Sequence, residues 1–176
     1  MEGALLTALV VVLVLALIMG PWLVGTANRL MRLHVRTDAA WAAADAALAR
    51  RAVVARAVAA AGCLPDEQSA AVRDAAERAE GTQREDREQA ENELTELLDE
   101  VDRAALPPAL AVELADAEHR VVIARRVHND AVRDTLTQRR RRVVRWFKLA
   151  GTAPQPAYLE IAEPELHNGR DGPDEL

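Results

Sequence analysis

The sequence predicts an all-α protein in which an N-terminal transmembrane helix is followed by an antiparallel bundle of three to four long helices. Three observations carry this prediction. An uncharged apolar run occupies the N-terminus of the 176-residue chain, and the remainder is rich in Ala, Arg and Glu, with only 3% aromatic residues in the whole chain. Such a composition is typical of long helices rather than of sheets. Between residues 28 and 150, Gly and Pro occur at few positions, which divide this part into helical segments.

Residues 1–27 form the predicted transmembrane anchor, which would contact the lipid bilayer through residues 3–28. No charged residue lies between Glu2 and Arg29. A helix over the apolar run would be about 39 Å long at 1.5 Å per residue, which is enough to cross a bilayer core with some tilt. Trp22 lies where interfacial aromatic residues are found. The predicted localisation is therefore the cell membrane, with a single span.

Cleavage as a secretory signal is the alternative interpretation of the same residues. The small residues at 25–27 loosely fit a cleavage site, but the apolar run is long and an acid rather than a base precedes it. For an uncleaved anchor, the arginines at 29, 32 and 36 predict a cytoplasmic C-terminal domain and an external N-terminus, because flanking basic residues stay on the cytoplasmic side.

The helical bundle is predicted over residues 28–150. Its first helix, residues 28–61, continues the membrane helix with little break, and a Gly-Cys-Leu-Pro sequence ends it. The other helices are expected over residues 66–80, 83–105 and 107–147. A capping box of Thr82 and Glu85 is expected to start the third helix.

The fourth predicted helix carries the clearest pattern in the chain. Apolar and small residues follow one another at alternating steps of four and three, which is the spacing of one side of a helix packed against other helices. These residues are Leu110, Leu114, Ala117, Val121, Ala124, His128, Ala131 and Thr135. Beyond this helix, residues 151–176 form an acidic tail that is expected to be flexible.

An arginine-rich segment ends the fourth predicted helix. The candidate interaction patch consists of Arg139, Arg140, Arg141, Arg142, Arg145 and Trp146. It would bind the phosphates of lipid headgroups or of nucleic acid, and the chain's net charge of −6 makes nucleic acid the weaker interpretation. The structural alternative leaves the arginines solvated or ion-paired while the apolar residues of 143–147 pack on the bundle. A bundle of long hairpins is expected to carry this end away from the membrane anchor.

The sequence contains no recognisable catalytic, cofactor-binding or metal-ligating set of residues. The histidines lack ligand spacing, no Gly-rich phosphate loop occurs, and Cys63 is the only cysteine. His128 falls in the apolar stripe and is expected to pack in the core. The acidic stretch 85–102 and the pair Glu118–His119 are expected to be solvated helix faces. The prediction is a non-enzymatic protein without cofactors.

Two stretches of the sequence resemble the LemA family. Residues 28–51, with their NRL, AAW and RR groups, are similar to the family's opening signature, and residues 117–134, which contain ARRVHNDAV, are similar to its second block. Phe147 and the YLE at 158–160 resemble its ending. The sequence departs from the pattern in three places. VVAR at 53–56 replaces Ile-Pro-Asn-Leu, His128 replaces a tyrosine, and the arginine-rich segment replaces a stretch ending in Phe-Pro.

This resemblance implies a membrane-anchored, mostly antiparallel helical bundle and brings no catalytic residues with it. The candidate structural positions are Trp41, Asp45, Arg51, His128, Asn129 and Asp130. Trp41 would fill the core, and the polar residues other than His128 would link the first and last helices. The predicted function is a membrane-anchored scaffold or protein-interaction module of LemA type. Its partner would be an unidentified protein or a second copy of the chain. The alternative is a peripheral binder of anionic lipid or nucleic acid through residues 139–145.

Overall fold

A computed structural model describes residues 2–147 and 154–162. The described residues form helices and contain no strand, which confirms the all-α class. The elements are α1 (Glu2–Ala60), α2 (Asp66–Gly81), α3 (Arg87–Asp99), a 3₁₀ turn (Arg103–Ala105), α4 (Pro108–Arg139) and α5 (Arg142–Trp146).

Helix α1 runs without interruption from the apolar N-terminus to Ala60, as predicted. Gly62, with a φ of 70°, follows its end in the left-handed conformation that glycine adopts without steric penalty. Pro21 lies inside the helix. By length and composition, the N-terminal part of α1 is able to cross a membrane, and none of its most apolar 18-residue window is buried. A signal sequence meets the same two criteria.

Three helix boundaries differ from the prediction, and one of them is the end of the third helix, which lies at Asp99 instead of residue 105. The third helix begins at Arg87, and the hydroxyl of Thr82 donates to the carbonyl of Arg78 in the preceding helix, so the predicted capping box is wrong. The fourth helix ends at Arg139 instead of Phe147, because the chain turns before the short helix α5. The arginines at 139–142 therefore span a turn between two helices.

The chain divides into two compact units. The first comprises Met1–Ala42 and Val127–Tyr158, and the second comprises Ala43–Arg126 and Leu159–Leu176. In the first unit, α1 and the C-terminal half of α4 run antiparallel. Arg36 pairs with Asp134 at 3.2 Å, and the buried hydroxyls of Thr37 and Thr135 lie 2.9 Å apart.

The second unit contains a core built from small and aliphatic side chains. Helices α2 and α3 pack on each other, and α1 and α4 each add a row of residues to the same core. Many of these side chains are alanines, which let helix backbones approach closely. Members with at most 1% exposure are Ala52, Ala55, Val58, Val72, Ala75, Ala76, Ala79, Leu94, Leu98, Leu114 and Ala117.

The predicted flexible tail is described by the structure only over residues 154–162. This segment has no regular secondary structure, and within it Leu159 and Ile161 are buried. The backbone N–H of Glu160 donates to the carboxylate of Glu88 at 2.7 Å, and that of Ala162 donates to Asn92 at 2.8 Å. Residues 151–153 and 163–176 lie outside the described residues.

Candidate functional site

The sharpest charge feature of the structure is the turn between α4 and α5. We use the name arginine turn for Arg140, Arg141, Arg142 and Arg145. All four side chains are exposed, and none of their guanidinium groups has a hydrogen-bond or ion-pair partner within residues 2–147 and 154–162. Because the backbone changes direction here, the four cations do not follow a single helix face.

Arg139 belongs to the predicted patch but is held by the fold. Its guanidinium donates to the carbonyl of Pro154 at 3.0 Å and lies 3.2 Å from Nε2 of His34. The first of these contacts ties the end of α4 to the segment that follows α5. Arg139 is therefore a structural residue, and the other arginines of the patch are not bound in this way.

The apolar residues after the arginines are only partly packed. Val144 is 1% exposed, as the structural interpretation expected. Trp146 is 84% exposed and Phe147 is 46% exposed, so that interpretation is wrong for these two residues. A tryptophan next to Arg145 thus lies on the surface beside the arginine turn.

The arginine turn lies beside the end of the apolar N-terminal run, not away from it. Within the first unit, a groove joins the two. Its lining comes from Pro21, Trp22, Gly25, Thr26, Arg29, Gln138, Arg141 and Val144. The expectation that hairpin geometry separates the arginines from the anchor is wrong, because α4 runs antiparallel to α1 and returns its C-terminal end to residues 21–29.

A second group of arginines is buried in the second unit. Arg51 on α1 donates to the carboxylate of Glu91 at 2.7 Å, to the Glu91 carbonyl at 3.0 Å and to the hydroxyl of Thr95 at 2.9 Å. Arg87 donates to the same carboxylate at 2.9 Å and lies 3.4 Å from Asp45. Glu91 is therefore shared between two guanidinium groups.

This buried network changes two of the sequence predictions. Arg51 and Glu91 are both fully buried, so the acidic stretch 85–102 is not a solvated face throughout. Arg51 and Asp45 were expected to link the first and last helices, but their ion pairs connect α1 to α3. The sequence did contain a signal, since Glu91 precedes Leu94 by three residues and Leu98 by seven and so shares their helix face.

Glu118 is a second buried carboxylate that the sequence analysis placed on a solvated face. It is 1% exposed and accepts two hydrogen bonds from Arg103, at 2.6 and 2.8 Å. The hydrogen bonds to Glu118 raise the pKa of the Arg103 guanidinium above its ordinary value. The pair joins the 3₁₀ turn to α4. It is structural, because both oxygens of the Glu118 carboxylate accept hydrogen bonds from Arg103 within the fold.

The remaining candidate positions are distributed along the two long helices. His128 is fully buried, as expected, and its ring lies edge-to-face with Trp41 at 5.5 Å between centroids. Nε2 of His128 lies 3.2 Å from the carbonyl of Ala157. Trp41 itself is half-buried. Asp130 pairs with Arg133 along α4, and Asn129 is half-buried on the same helix.

Comparison with family models, curated proteins and solved structures finds no match for this chain.

A shallow groove in the second unit is the other exposed feature of note. It lies between α1 and α4 and is lined by small apolar side chains with charged residues of both signs. The lining residues are Ala43, Ala46, Ala47, Arg50, Asp116, Arg120, Ile123 and Ala124. Arg120 donates to Asp116 at 2.7 Å, and this hydrogen bond lowers the pKa of the Asp116 carboxyl.

The described residues contain no group of three or more His, Cys, Asp or Glu side chains arranged to hold a metal ion. Cys63 is half-buried, and its thiol contacts the carbonyl of Ala61 at 3.5 Å. The exposed features of the described residues offer guanidinium groups, two tryptophans and small apolar side chains.

Proposed function

We propose that this protein is a single-pass, membrane-anchored and non-enzymatic scaffold whose helical domain presents an interaction surface. The observation that carries the proposal is the surface of α1. From Leu5 to Ile18, each large apolar side chain keeps 49–71% of its surface exposed. A contiguous apolar surface of this size is favourable only when lipid or protein covers it, and this run is long enough for a bilayer.

The same helix continues into the rest of the chain, so the anchor and the domain share one element. The antiparallel course of α1 and α4 within each unit supports an antiparallel helical bundle of the LemA type. In the second unit, for example, Arg50 of α1 pairs with Glu113 near the start of α4 at 2.6 Å. Exposed Arg29 and Arg32 follow the apolar run and support a cytoplasmic domain with the N-terminus outside.

The small-residue groove of the second unit is the surface that we assign to a protein partner. Exposed Ala43 and Ala46 on one side and Ile123 on the other leave room for a helix to approach closely. The charges of Arg50 and Asp116 at its rim would favour a partner with complementary charges. A second copy of the chain or an unidentified protein would satisfy these requirements.

Two measurements on the full chain in its own cells test this proposal. After alkaline carbonate extraction, the chain should remain in the membrane pellet with its N-terminal run intact. Release into the supernatant, or a mature N-terminus at Asn28, would contradict the anchor. A photo-crosslinking residue at Ala46 should yield a discrete adduct, and the same residue at exposed Glu77 on α2 should not. Equal crosslinking at both positions would contradict the assignment of the groove.

A further inference from the structure

We propose that the arginine turn binds anionic phospholipid headgroups in the same bilayer that α1 crosses. The inference rests on the proposed membrane anchor and adds a lipid specificity to it. The ligand is the phosphate of an anionic headgroup, and the binding groups are Arg140, Arg141, Arg142 and Arg145. Arg29 contributes from α1, and Trp146 and Trp22 flank the charges.

The arginine turn lies beside the part of α1 where the apolar run ends. Arg141 lines the same groove as Trp22 and Arg29, which are the interfacial aromatic residue and the first charge after the apolar run. When the preceding run spans the hydrocarbon core, residues 22–29 lie at the level of the headgroups. Arg141 is then held at that level as well, whatever the orientation of the second unit.

The arginine turn has no neutralising acid nearby in the part of the chain that the structure describes. No Asp or Glu occurs from residue 3 to residue 37 or from residue 135 to residue 159. Asp134, the nearest acid on α4, is paired with Arg36 at 3.2 Å. Several exposed cations thus repel one another without a counter-charge among the described residues. An anionic leaflet supplies that counter-charge, because it attracts basic residues close to its surface.

Two exposed tryptophans accompany the arginine turn. Trp146 keeps 84% of its surface exposed and Trp22 keeps 53%. Tryptophan has an apolar body and one N–H donor, a combination that is favourable at the headgroup level. An aromatic residue directly after Arg145 fits an interface between headgroups and acyl chains better than it fits bulk water.

Nucleic acid is the other polyanion that the arginine turn would attract. The position of the turn beside the apolar run favours lipid, because a nucleic acid would have to lie against the bilayer surface to reach it. The chain's net charge of −6 also disfavours long-range attraction of a polyanion to the rest of the molecule.

Lipid selectivity of the full chain tests the proposal directly. The chain is reconstituted in bilayers with spin-labelled phosphatidylglycerol or phosphatidylcholine, and the motionally restricted fraction of each lipid is measured. A variant with Arg140, Arg141, Arg142 and Arg145 changed to Gln is compared with a control that loses four exposed arginines elsewhere. The control substitutions are Arg50→Gln, Arg73→Gln, Arg78→Gln and Arg120→Gln. A third variant carries Lys at the four turn positions.

The wild-type chain should prefer phosphatidylglycerol, and the Gln variant should lose at least about tenfold in that preference, since each basic residue near an anionic surface adds to the attraction. The control and the Lys variant should keep most of it. The preference should fall as salt is raised from 0.05 to 0.5 M, because exposed charges are screened. Unchanged circular dichroism would show that the Gln variant is folded.

Three outcomes would overturn the proposal, and they differ in meaning. Equal preference in the Gln variant and the wild type, with the chain still resistant to carbonate, removes the headgroup site and leaves the anchor. Release of the wild type by carbonate removes both. Tighter retention on a single-stranded oligonucleotide than on anionic vesicles of equal phosphate concentration assigns the arginine turn to nucleic acid instead.

Discussion

Two groups of arginines, one in each unit, differ in burial and in pairing. In the second unit, Arg51 and Arg87 are buried, and both bind the Glu91 carboxylate. In the first unit, the arginine turn is exposed and has no partner among the described residues. A buried guanidinium must be paired, because desolvation of an isolated charge is very unfavourable. An exposed one that has no partner within the fold is free to bind an external anion. Burial and internal pairing together therefore separate the buried arginines, which stabilise the fold, from the arginine turn, which is available for binding.

The largest effect is expected from removing one side of the buried network. Arg51→Met leaves the Glu91 carboxylate without its α1 partner, and breaking such a pair costs about 3–5 kcal/mol. Denaturant unfolding of the full chain in mild detergent, followed by circular dichroism, measures this loss. Arg50→Met is the matched control, because Arg50 is exposed and its pair with Glu113 contributes about 1 kcal/mol or less. Equal losses in both variants would contradict the comparison.

The next largest expected effect is the coupling free energy between Arg51 and Glu91. Arg51→Met and Glu91→Leu together remove both sides of this ion pair, so the buried Glu91 carboxylate is no longer left without Arg51, while Arg87 keeps Asp45 at 3.4 Å. The double variant should therefore be less destabilised than the sum of the single variants, with a coupling of about 1–3 kcal/mol. Additive losses would show that the two side chains stabilise the fold independently.

A smaller difference in the free energy of unfolding is expected between substitutions at two neighbouring arginines of the candidate interaction patch, Arg139 and Arg140. Arg139→Gln removes the hydrogen bond to the Pro154 carbonyl and should cost about 1 kcal/mol in the free energy of unfolding. Arg140→Gln should leave that free energy within about 0.5 kcal/mol of the wild type, as is usual for exposed positions. If Arg140→Gln is the more destabilising of the two, the division between structural and exposed arginines is wrong.

The smallest expected effect is on the stability of the fold to acid, and it comes from Asp116 in the small-residue groove of the second unit. The hydrogen bond from Arg120 lowers the pKa of Asp116 below its ordinary value of 3.8. A carboxyl whose pKa is lower in the folded state stabilises the fold above that ordinary value, and its contribution is lost as the pH falls further. Asp116→Asn should therefore flatten the decline in stability below pH 4. Unfolding curves at pH 5 and pH 3 measure the difference, and parallel declines would contradict it.

The local features of the fold could be predicted from the sequence. The end of α1 at Ala60 follows from Gly62, which takes the left-handed conformation, and the start of α4 follows from the adjacent prolines at 107 and 108. The buried position of His128 follows from the period of the apolar stripe. These features depend on residues within one or two helical turns.

Some of the missed features are local, namely the capping box at Thr82 and the ends of α3 and α4. The other missed features depend on residues far apart in the chain. Arg51 and Glu91 are separated by 40 positions, and no local pattern shows which acid a buried arginine will meet. The return of the arginine turn to residues 21–29 is likewise a tertiary property. Helices α2 and α3 pack on each other as a short pair, and α4 then runs antiparallel to α1 within each unit. The number and lengths of the helices do not by themselves predict this arrangement.

The environment of Trp146 tests most directly whether the arginine turn lies at the membrane surface. Trp22→Phe and Trp41→Phe leave Trp146 as the only tryptophan, and the full chain is placed in nanodiscs with or without anionic lipid. In the anionic nanodiscs, we expect the emission of Trp146 to be blue-shifted and to be quenched by brominated acyl chains. Both the shift and the quenching should be smaller when the four arginines of the arginine turn are changed to Gln. Emission typical of a solvent-exposed tryptophan, unquenched in both kinds of nanodisc, would contradict a position of the arginine turn at the membrane surface.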